Sequence, residues 1–110
     1  MININELSTI LKEQLQPLNP QKIIIFGSYA HGTQTPDSDI DIYIVTKDNF
    51  IPKNFQERKE LYIKVLSLIR NTIQTYPVDV IIHTKKMHEN FIALDSYFCR
   101  KIMTEGIHIL

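Results

Sequence analysis

Three short runs rich in β-branched residues punctuate this chain: KIIIF from Lys22 to Phe26, DIDIYIV from Asp39 to Val45, and VDVIIH from Val78 to His83. Their spacing constrains the fold more than any other feature. A helix-length segment lies between the second and third, and a crossover of that kind sets two strands parallel. The polar connection from Gly27 to Ser38 also permits an antiparallel pairing of the first two. Leu7, Ile10, Leu11 and Leu15 recur at helical spacing from Asn5 until Pro17 and Pro20 stop the pattern. A second helix is expected from Asn54 to Tyr76, with Asn54 as N-cap, Glu57 in the capping-box position, and Leu61, Val65, Leu68, Ile69 and Ile73 as its apolar stripe. A third is expected from Asn90 to Thr104, ended by Gly106, and IHIL closes the chain as a short strand. The pattern predicts an α/β fold: a small mixed β-sheet with helices on one face.

With 110 residues, 1–110 is expected to form a single domain with one core. Twelve Lys and Arg balance twelve Asp and Glu, so neither direct nucleic-acid binding nor a membrane-surface partner is expected. No apolar stretch approaches the roughly 20 residues needed to cross a bilayer. The N-terminus MININELSTILKEQ shows neither the basic nor the apolar region of a signal peptide. The one cysteine, Cys99, forms no intrachain disulfide and lies in SYFCRKIM at helical spacing, as a small buried hydrophobe would. A cytoplasmic location is expected.

The chemistry gathers at two strands. Strands are normally depleted in Asp, yet Asp39 and Asp41 open the second run and share a face, being two apart. Asp79 opens the third. If the second and third strands are parallel, these three carboxylates meet at one sheet end, and an antiparallel first strand delivers Gly27-Ser28 there too. Clustered carboxylates need a cation, and hard oxygen ligands select Mg²⁺ or Mn²⁺. A glycine at a strand end allows close backbone approach to a phosphate, and the following serine adds donors. Such a set suits metal-dependent phosphoryl or nucleotidyl transfer, two ions clamping the entering and leaving oxygens.

GSYAHGTQTPDSDIDI, with Asp79 in PVDVI, resembles the signature of the DNA polymerase β nucleotidyltransferase superfamily, and most closely its minimal nucleotidyltransferase (MNT) branch. The resemblance spans essentially the whole chain. It implies the nucleotidyltransferase fold and transfer of AMP from ATP to a hydroxyl. Asp39, Asp41 and Asp79 are then catalytic metal ligands for two Mg²⁺ ions, and Gly27 and Ser28 hold the β- and γ-phosphates. It further implies a partner, a HEPN-domain ribonuclease toxin adenylylated on tyrosine by its MNT antitoxin. A catalytically weak module that neutralises a toxin by stoichiometric contact is the alternative, and oligomeric state, a homo-oligomer included, stays open. The family often has an arginine where this chain has His31. Arginine binds phosphate bidentately and is always charged, whereas histidine is mostly neutral at pH 7.

Other readings are weaker. Gly27 and Gly32 stand at P-loop spacing, but Thr33 occupies the place of the essential lysine. Asp37, Asp39 and Asp41 imitate an EF-hand start, but Ile42 stands where glycine is required. Asp39 and Asp41 could instead protect an edge strand from aggregation. His83 and His88 lack a third ligand for zinc, His108 reads as a surface residue, Lys85-Lys86 reads as a solvated turn, and Tyr29 could either stack on a base or pack.

Overall fold

The computed structural model describes every residue from Met1 to Leu110. Helix α1 (Ile4–Leu15) is capped by Asn3, whose side chain accepts the Glu6 N–H at 2.8 Å. A single 3-10 turn carrying Pro17 then leads to strand β1 (Lys22–Phe26). The four-residue helix α2 (Ser28–His31) follows at once, and β2 (Ile40–Val45) returns antiparallel to β1. Helices α3 (Phe55–Leu68) and α4 (Arg70–Thr75) cross over to β3 (Val78–His83), which lies parallel to β2. The chain closes with α5 (Lys85–Leu94), α6 (Tyr97–Glu105) and β4 (Ile107–His108), which pairs with β1. The sheet order is β3-β2-β1-β4.

Strand alternation sorts the apolar residues between two faces. Ile23 and Ile25, Ile40, Ile42 and Ile44, and Ile82 form the main core with Leu7 and Leu11 of α1 and Leu61 and Val65 of α3. Ile24, Tyr43 and Val45 face the opposite way onto Ile102 of α6, with Phe91 of α5 packed alongside. Helices therefore cover both faces, unequally, which corrects the expectation of one covered face. After Asp41 every residue of β2 is buried, Tyr43 and Val45 as completely as Ile42 and Ile44. Each such side chain contributes about 1.5–3 kcal/mol only if something covers it.

Two long helices expected from periodicity are each broken. The first ends at Ile69 (φ −109°, ψ 23°), and α4 restarts with Ile69 and Thr72 buried while Ile73 stays 38% exposed. The Thr72 hydroxyl donates to Gln14 Oε1 at 2.8 Å, so the restart points a polar contact at α1 instead of continuing the stripe. The second is broken at Asp95, in left-handed conformation (φ 48°), after which Ser96 caps α6 by accepting the Cys99 N–H at 3.1 Å. Helix α5 also begins early, capped by Thr84, so Lys85-Lys86 is a helix start instead of a turn.

One contact ties α5 to the sheet. The Tyr43 hydroxyl lies 2.9 Å from His83 Nδ1 and 2.7 Å from His88 Nδ1. A hydroxyl has one proton, so it donates to one ring and accepts from the other. Burial, then the charges of His88 and Arg58, lower His83 from its ordinary 6.5 to about 4. Between those values the unfolded chain binds the proton more readily, so stability is lost as pH falls through that window. The melting temperature is expected to fall between pH 7 and about pH 4.5, and to fall less in His83→Gln. Equal falls in both proteins would remove His83 from the account.

Candidate active site

The antiparallel β1–β2 and parallel β2–β3 pairings bring the end of β1 and the starts of β2 and β3 to one edge of the sheet. Phe26 pairs with Asp41, and Asp41 with Asp79, so the three side chains form one row across a sheet face. Asp39 lies one residue before β2, exposed to solvent, where a strand position was expected. β2 is an interior strand, which rules out edge protection as the reason for Asp41.

Gly27 follows Phe26 with φ 74° and ψ −150°, a region open essentially to glycine alone. A Cβ there would run into Asp41 Oδ2 and stand 3.1 Å from its Cγ. The backbone of the Gly-Ser turn and the Asp41 carboxylate are therefore in direct apposition. Gly32 (φ 71°) ends α2, with the Thr33 N–H bonded to Ser28 O at 3.0 Å.

Electrostatics single out Asp41. Its partial burial, then the charges of Asp79 and Asp39, hold its carboxyl above the usual range. Both neighbouring carboxylates thus act on Asp41. No three acidic, histidine or cysteine groups are drawn together tightly enough to enclose an ion as they stand. What fits a divalent cation is the donor chemistry: all-oxygen, anionic, mutually repelling, and beside a backbone that lacks a Cβ.

The row opens into a cavity of about 480 Å³ lined by Gly27, Asp41, Asp79, His31 and Glu105 and by the aromatic Phe26, Tyr97 and Phe98. Tyr29 is buried in the core, which settles its role as packing. His31 does line the cavity, but its Nε2 lies 3.3 Å from Glu105 Oε1. Sequence patterning could not pair residues so far apart. Charged hydrogen bonds are worth about 1.5–3 kcal/mol, reduced where solvent reaches. Since Glu105 competes for the new charge, His31→Arg is expected to tighten ATP binding only roughly fivefold, and more when combined with Glu105→Gln. Equal affinity in all three proteins would show that position 31 points away from the phosphates.

Fold and site together define a small α/β nucleotidyltransferase. The chain belongs to the nucleotidyltransferase-domain family, whose model matches residues 4–109. A Methanocaldococcus jannaschii protein named "putative protein adenylyltransferase" is 32% identical over 87 residues, covering 79% of this chain and 78% of that protein. The chain also resembles a crystal structure of a toxin–antitoxin with AMP-PNP, at 25% identity and a TM-score of 0.57, covering 94% of this chain and 72% of the other. The structure of a toxin–antitoxin MntA-HpeT mutant is similar at 26% identity and a TM-score of 0.50, covering 99% of this chain and 73% of the other.

Proposed function

We propose that residues 1–110 act as one minimal nucleotidyltransferase domain that transfers AMP from ATP to a protein hydroxyl. The acceptor we infer is a tyrosine of a HEPN-type ribonuclease toxin, so that the chain serves as the antitoxin. The observation that carries this reading is the Phe26–Asp41–Asp79 row meeting the Cβ-free turn at Gly27. Support for the partner comes from the toxin–antitoxin structures that this chain resembles.

In this reading Gly27 and Ser28 bind the β- and γ-phosphates through backbone and hydroxyl donors. Asp39, Asp41 and Asp79 hold Mg²⁺, which when bound neutralises charge on the phosphates and lowers the acceptor hydroxyl's pKa. The hydroxyl oxygen attacks the α-phosphorus, the bond to the bridging oxygen breaks, and pyrophosphate leaves. Asp79, exposed at the cavity, receives the hydroxyl proton. Asp79→Asn is therefore expected to lower turnover by ~10²–10⁴-fold while leaving ATP affinity nearly unchanged. If binding collapses and turnover of bound nucleotide does not, that role is wrong.

The His31–Glu105 contact favours a second reading, a binding module with weak catalysis, because it ties up the side chain that stands where the family often has an arginine. ATP turnover in the wild type and in Asp39→Ala separates the two. A catalyst loses turnover on substitution, whereas a stoichiometric binder neutralises its partner equally well with either protein.

A further inference from the structure

We propose that the ring of Tyr97, with Phe98 beside it, is the seat of the nucleobase. This rests on the nucleotidyltransferase reading and goes beyond it by assigning the end of the cavity that the phosphate chemistry leaves unexplained.

The cavity is two-sided. Gly27, Phe26, Asp41, Asp79 and Ile81 line it from the sheet, and Tyr97, Phe98 and Ile102 form an apolar wall from α6. Phosphate oxygens lose hydrogen bonds with water against such a wall and gain none back. The wall therefore serves an apolar part of the same ligand. Small-ligand sites combine apolar walls with a few convergent polar groups, in volumes of about 300–1,000 Å³. The 480 Å³ found here suits a nucleotide better than a lone amino-acid side chain.

The aromatic wall is held in place from behind. Phe98 packs edge-on against Phe26 (centroids 5.9 Å apart, planes at 82°) and against Phe91 (6.4 Å, 75°). Phe91 in turn packs on Tyr43, 5.4 Å away, in the sheet. Tyr97 differs from this group. It lines the cavity yet remains 78% exposed, with the Lys101 ammonium 5.8 Å from its ring centroid. A tyrosine so exposed contributes little to folding, and its ring stands at the mouth of the acidic cavity. A planar base reaching outward from phosphates at Gly27 meets that ring. Stacking there buries both surfaces, and the neighbouring ammonium steadies the ring by a cation–π contact.

Tyr97→Ala tests this without endangering the fold, since the side chain is 78% exposed. ATP is expected to bind about 5- to 150-fold more weakly to this variant, the range alanine substitution gives for one base–aromatic stack. Mg²⁺-tripolyphosphate, which has no base, is expected to bind both proteins equally. The chain contains no tryptophan, so Tyr97→Trp installs a single reporter. Its emission is expected to be quenched by ATP and unchanged by tripolyphosphate. Unchanged ATP affinity in Tyr97→Ala overturns the assignment. If AMP transfer to protein falls in that variant while ATP affinity holds, the ring belongs to the acceptor and the assignment is equally overturned. Wild type that binds tripolyphosphate but not ATP refutes the base seat alone, whereas wild type that binds neither refutes the nucleotidyltransferase reading with it.

Discussion

Asp41→Asn is expected to abolish AMP transfer while leaving the protein at least as stable as the wild type. Changes in the groups that merely support metal ligands cost about 10–100-fold, so loss of a proposed ligand should exceed 100-fold. Stability moves the other way because Asp41 is partly buried and faces the charges of Asp79 and Asp39. Asparagine keeps the shape and removes the repulsion. Turnover and thermal melting of the same sample check both halves. Full activity would remove Asp41 from the site, and a large loss of stability would mean that its carboxylate is structural.

Gly27→Ala is expected to impair both fold and activity. The ε-region backbone costs about 1–3 kcal/mol for any other residue. In addition the new methyl meets the Asp41 carboxylate, so one or the other must move. Gly32→Ala is the matched control: it also has positive φ, at 71°, but a Cβ there meets nothing. It should cost only about 1 kcal/mol and leave transfer intact. A circular-dichroism melt and an AMP-transfer assay on the pair distinguish backbone strain from displacement of Asp41. If the two variants lose activity equally, apposition of the turn to the carboxylate has no catalytic meaning.

The candidate site was readable in the sequence because strand alternation is local. Two-residue spacing fixes Asp41 on the face of Tyr43, and the crossover fixes Asp79 beside Asp41, as the register shows. The helix breaks were not readable. Ile69 fits an apolar stripe whether or not the helix bends there, and the Thr72 contact that follows the break is with Gln14, on another helix. At Asp95 a signal did exist: Asp followed by Ser offers a left-handed residue and then an N-cap. Coverage of the second sheet face by α5 and α6 depends on tertiary placement, as do Tyr43 meeting two histidines and His31 meeting Glu105. None of these contacts leaves a periodic trace.

The most direct test uses ATP labelled at either the α- or the γ-phosphate, incubated with Mg²⁺, this protein and a HEPN-domain toxin purified without its antitoxin. The account predicts that label from the α-phosphate becomes covalently attached to the toxin, with pyrophosphate released and no transfer by Asp41→Asn. Label arriving from the γ-phosphate, or α-label transferred equally well by Asp41→Asn, would contradict it.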